Sequence, residues 1–127
     1  MNTKEIIYHL VEAITSSKVY EEPFHHLYVE NIFPDSFYNE IELLKDQVET
    51  YKELNHEDAI LEDGTVTRRV FPFNKLYLES LGEQSRKIAD QLLEVFQSNE
   101  LKEALFESLQ IPLKRRHAVE NINDLQG

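Results

Sequence analysis

Cysteine is absent from this 127-residue chain. Disulfides, thiolate catalysis and cysteine-bound zinc are excluded with it. Glycine and proline are scarce, three and four residues, which favours regular elements over a loop-rich β architecture. No apolar run approaches the roughly 20 residues needed to cross a bilayer. The N-terminal stretch "MNTKEIIYHLVEAITSS" carries Glu5 and a helically spaced apolar stripe. It lacks the basic opening and continuous apolar core of a signal peptide, so a cytoplasmic address with no membrane association is expected.

Positive charge is in short supply as well. Thirteen Lys and Arg face 24 Asp and Glu, for a net charge of −11. A nucleic-acid groove or an anionic membrane surface needs a basic face, and this balance argues against both. A DNA-mimicking inhibitor would suit the charge, yet acidic soluble proteins are common and charge alone does not select that role. Lys114, Arg115 and Arg116 form the one basic triplet.

What is present argues for a folded protein. Hydrophobic residues make up 41%, with seven Phe and six Tyr, and charged residues at 29% are near the soluble average. The length fits one domain with a modest core. Ile6, Ile7, Leu10, Val11 and Ile14 fall at helical spacing behind a Thr3 cap, and "SSKVYEE" breaks that helix. "PFHHLYVENI" reads as a strand, with Phe24, His26, Tyr28 and Glu30 on one face and His25, Leu27 and Val29 on the other. Pro34 with Asp35 or Ser36 then opens a helix bearing Phe37, Ile41, Leu44 and Val48, with Phe33 as a hydrophobic staple onto Phe37 or Tyr38.

The polar stretch that follows contains Asp63-Gly64, a hairpin-type turn signal, between short strands near 59–61 and 66–71. A helical pattern runs from Leu76 to Gln97 with Ile88, Leu92, Val95 and Phe96 inward. Ser98 or Asn99 restarts a helix with Leu101, Leu105, Phe106 and Leu109 as its stripe. Pro112 is expected to end it, and "LKRRHAVENINDLQG" to begin a strand.

Few residue sets could carry chemistry. Consecutive strand residues point to opposite faces, so one metal ion cannot easily take both His25 and His26, and they read as ordinary strand residues. His56 and Asp58 with the distant His117 match the ligand types of a facial-triad iron site. The helical character of the intervening chain and the charged loop around His56 weigh against that set, so no metal ligand is expected. His9-Glu12 and His117-Glu120 are lone His-x-x-Glu pairs without a partner set. Arg68 and Arg69 could contact an anion such as a carboxylate, with a surface ion pair to neighbouring acids as the plainer reading. There is no phosphate-cradling glycine loop, no G-x-S-x-G elbow and no H-E-x-x-H.

The order of segments nevertheless carries a resemblance. A leading helix, "PFHHLYVENIFPDSFYNEIELL", an acidic loop, "RRVFPF", a helix and "SNELKEALFESL" follow one another. This resembles the N-terminal portion of 2-oxoglutarate/Fe(II)-dependent oxygenases of the prolyl 4-hydroxylase-like group. The most specific part is Pro23–Leu44, with its Pro-Phe strand entrance and Pro-Asp helix start, and the correspondence extends by order and spacing to Arg116. The resemblance implies an α+β, helix-rich fold: a helical cap plus the first strands of a double-stranded β-helix (jelly roll). The barrel itself is missing, so residues 1–127 are expected to be a single incomplete domain.

In the complete enzymes Fe(II) and 2-oxoglutarate, with ascorbate as an optional further cofactor, serve residues that lie beyond the matched part. No catalytic or cofactor-binding residue carries over, and the chain alone is expected to be inactive. Its expected partner is the missing barrel, and self-association through an exposed apolar patch is a further expectation. The competing expectation is a self-standing acidic helical adaptor or inhibitor that docks on a protein partner.

Overall fold

The computed structural model describes residues 1–48 and 51–125, and among them the chain is helix-rich with two small antiparallel sheets and no closed barrel. Helices α1 (Thr3–Thr15), α2 (Asp35–Gln47), α3 (Lys75–Glu79), α4 (Glu83–Phe96), α5 (Asn99–Ser108) and α6 (Gln110–His117) carry the fold. Strands β1 (Val19–Tyr20) and β2 (His26–Leu27) form one hairpin, and β3 (Lys52–Glu53) pairs with β4 (Arg69–Val70). Two compact units emerge, one of residues 1–38 and 94–127, the other of residues 39–93. No described helix is long and apolar enough to cross a membrane.

The first unit is built on α1 and α5, which pack together. Ile6, Leu10 and Ile14 recur at intervals of four, so they line one stripe of α1 and are buried. Leu101 and Ala104 supply the buried stripe of α5, and Val95 and Phe37 complete the core. α1 starts one residue earlier than the Thr3 cap expected. Asn2 accepts a hydrogen bond from the Glu5 N–H at 2.9 Å, and the Glu5 carboxylate accepts from the Asn2 N–H. That reciprocal box satisfies two terminal donors, which Thr3 could not do. The Phe33 staple is as expected: its ring meets Phe37 edge-on at 5.7 Å and also meets Phe96 at 6.2 Å.

Three segments depart from expectation. The strand expected over "PFHHLYVENI" shrinks to His26–Leu27, because its partner is the two-residue β1 within the stretch read as a mere helix breaker. Beyond it Asn31 adopts a left-handed backbone, φ 51°, and its carbonyl accepts a 2.9 Å hydrogen bond from His9 Nε2. Pro112 does not end a helix. α5 stops at Ser108, Leu109 breaks the geometry, and Pro112 sits in the first turn of α6, where no intrahelical N–H bond is lost. The expected C-terminal strand is likewise helix. Residues 113–117 belong to α6, which closes at left-handed Ala118 with the Ala118 and Val119 N–H groups on the Lys114 carbonyl.

In the second unit, Leu44, Leu78, Ile88 and Ala89 are buried, and Ser85 donates to the Gln47 amide oxygen at 2.7 Å. The pattern read as one helix from Leu76 to Gln97 divides at residues 80–82 into α3 and α4. Phe71 gathers Tyr51, Phe73 and Tyr77 around its ring by edge contacts. Phe96, expected inward at the end of α4, is 57% exposed. Val95, expected inward with it, is fully buried.

Leu10→Ala removes a fully buried side chain from the α1 stripe, and a loss of about 2–5 kcal/mol in urea unfolding is expected. Tyr8→Ala, on an exposed position of the same helix, should change stability by less than about 0.5 kcal/mol.

Candidate functional site

His56, Asp58 and His117 match the ligand types of a facial triad, although no metal ligand is expected of them, and His56 and Asp58 fall on one element and His117 on another. His56 caps a 3₁₀ turn at Glu57–Ala59, its Nδ1 accepting from the Asp58 N–H at 3.2 Å. The Asp58 carboxylate lies on that same Nδ1 side of the ring, at 3.5 Å. A metal at Nδ1 would therefore compete with the cap. His117 belongs to the other unit, in the last turn of α6. Among the described residues, no three His, Asp or Glu side chains are grouped to hold a metal ion.

Of the adjacent histidines, His26 serves the hairpin. His26 Nδ1–H donates to the Phe24 carbonyl at 2.7 Å. Its ring stacks on Tyr20 across the strands, centroids 5.2 Å apart and planes within 16°. Lys18 covers Tyr20 at 5.0 Å, and Phe24 leans on His26. His25 precedes the strand, so the two residues are separated by loop and strand and not by alternating strand faces. His9 is committed to Asn31.

Arg68 and Arg69 sit at the return arm of the β3–β4 ribbon, both exposed. Neither forms an ion pair among the described residues, although Arg69 stands in register with Glu53 across the ribbon. The turn at Asp63-Gly64 is as the sequence suggests, but the strand expected near 59–61 is absent. Glu57–Ala59 is a 3₁₀ turn, Ile60 and Val66 make a single bridge, and within 66–71 only Arg69–Val70 is strand, paired with Lys52–Glu53. Gly64 has φ 86°, a conformation that other L-residues rarely adopt. Asp63 Oδ1 accepts from the Thr65 N–H at 2.8 Å. The Thr65 hydroxyl, then its N–H, hold the Asp63 carboxyl below its ordinary value of 3.8.

A feature that no motif announced lies in the first unit. A groove of about 730 Å³ has Leu10 and Ile14 of α1 as its floor and Leu27, Val29 and Leu105 among its walls. Leu27 of β2 and Val29 just beyond it both line the groove. The His9–Asn31 bond ties the chain that follows them back to α1. Among the described residues Lys102 is the one charged side chain in the lining, its ammonium 5.6 Å from the Phe106 ring. The available signal was the width of the α5 stripe: Leu101 suffices for the core, and Leu105 and Phe106 extend past it.

Because the folded Asp63 value lies below the ordinary one, its charge favours the closed turn above about pH 4. That contribution fades as pH falls through the folded value. In an NMR titration, the Thr65 amide proton should move with an Asp63 midpoint below 3.8, and Asp63→Asn should leave it independent of pH. A midpoint at or above the ordinary value would contradict the turn geometry.

Compared with protein-family models, with curated proteins and with solved structures, the chain gives no match.

Proposed function

We propose that this chain is the helical, non-catalytic N-terminal segment of a 2-oxoglutarate/Fe(II)-dependent oxygenase of the prolyl 4-hydroxylase-like kind. Its part is to buttress a jelly-roll barrel and to shape the substrate entrance. The observation that carries the reading is the run from Pro23 to Leu44. There the Pro-Phe pair leads into β2, and the Phe33–Phe37 staple locks the Pro34-Asp35 start of α2. Those are the most specific elements of the resemblance, and they occur in the same order here.

Exposed apolar side chains give a further support. Tyr28 and Leu76 are 71% and 75% exposed, and Phe24, Phe73 and Ile111 also face solvent. Phe24, Tyr28 and Ile111 belong to the first unit and Phe73 and Leu76 to the second, and exposed side chains of this size are what a covering element would bury. The helical course of residues 110–117 removes the strand from the far end of the resemblance, which therefore rests on its first part. The same exposed side chains also serve the acidic-adaptor reading. An adaptor should be monodisperse with one cooperative melting transition, whereas a segment lacking its barrel should aggregate or dimerise.

Purified chain incubated with Fe(II), 2-oxoglutarate and ascorbate should form no succinate above a metal-free control. Succinate formation that disappears in His56→Ala would overturn the non-catalytic role and restore His56 and Asp58 as ligands.

A further inference from the structure

We infer that the groove between α1 and α5 binds a free single-chain anionic amphiphile, a medium-chain fatty carboxylate, with Lys102 on its headgroup. The apolar part of the argument is the lining. Leu10 and Ile14 close the floor, and the half-buried Leu27, Val29 and Leu105 leave apolar walls open to an alkyl chain. A volume of about 730 Å³ accommodates such a chain, within the range of small-molecule sites.

The polar part is charge complementarity. Lys102 stands half-buried against Phe106 with no carboxylate in ion-pair reach among the described residues, in a chain whose acids outnumber its bases 24 to 13. A lysine that finds no internal acid, at the edge of an apolar groove, favours a ligand that brings its own negative charge. A ring-backed ammonium in a partly desolvated site attracts a carboxylate more strongly than an exposed one does.

The inference stands apart from the oxygenase reading, since it concerns only this groove. It also opposes the bulk charge. Net charge alone predicts a preference for cationic amphiphiles, and Lys102 predicts the reverse.

The test is titration of the full chain with dodecanoate below its micelle concentration. Binding is followed by calorimetry and by the methyl NMR shifts of Leu27, Val29 and Leu105. Saturable binding is expected, tighter than for dodecyltrimethylammonium, and weakened at least tenfold in Lys102→Glu, with folding of the variant checked by circular dichroism. Decanoate should bind about two- to fourfold more weakly for each methylene removed. Equal binding of both surfactants, or binding indifferent to Lys102→Glu, would overturn the inference. So would absence of saturable binding, shifts confined to residues outside the groove, or a dimer that closes the groove and takes up no dodecanoate. Binding only to phosphatidylglycerol vesicles would overturn it in favour of a membrane surface.

Discussion

Burial of one stripe of α1 against α5 is the constraint on which the first unit depends. Ile6, Leu10 and Ile14 leave water together only because their spacing of four places them on one line of the helix. Their partners Leu101 and Ala104 come from about ninety residues further along the chain, so this contact closes most of the sequence into a loop. Such a closure is expensive in entropy, and it is offset by apolar burial and not by the caps alone. The caps decide where the stripe begins. The Asn2–Glu5 box sets the phase of α1, and Ser98, whose hydroxyl accepts from the Leu101 N–H, sets that of α5. The groove follows from the same packing. Leu10, Ile14 and Leu101 belong to the core on one side and to the groove on the other.

Electrostatics plays a smaller part in holding the fold. Among the described residues Glu42–Lys45 and Arg86–Asp90 form ion pairs. Both have solvent-exposed side chains, and pairs of that kind contribute roughly 0–1 kcal/mol each. The acidic excess therefore lies on solvated faces and in the 52–65 loop. It acts on what the chain can approach, not on how it folds. Among the described residues, buried side-chain polar atoms all find partners.

The parts of this architecture legible in the sequence are those set by local periodicity. The stripes of α1, α2 and α5, the Phe33 staple, the Ser98 restart and the Asp63-Gly64 turn each follow from residues within one or two helical turns of one another. The parts that were not legible depend on a partner. Val19–Tyr20 becomes a strand only because His26–Leu27 returns alongside it, and the Tyr20–His26 stack exists only in that pairing. Pro112 signals a helix end when read alone. Once Leu109 has already broken α5, the same proline fits the first turn of α6. Val95 and Phe96 both looked inward on the α4 pattern, but Val95 alone of the two is buried, and Phe96 turns out to meet Phe33. The groove was hidden for the same reason, since its walls come from α1, the chain after β2, and α5.

These physical facts bear on function through the segment Pro23–Leu44. Its His26 is absorbed by the hairpin, and its lasting content is the Pro-Phe entry, the staple and the Pro-Asp start of α2. The oxygenase reading places the iron chemistry outside residues 1–127, on residues of a barrel that these helices would support. Sequencing the source DNA on the 3′ side of codon 127 tests that placement most directly. The expected result is a reading frame, in any of the three phases, encoding His-x-Asp, a later His and a following basic residue on strand-patterned sequence. A downstream region with no such frame would contradict the oxygenase reading.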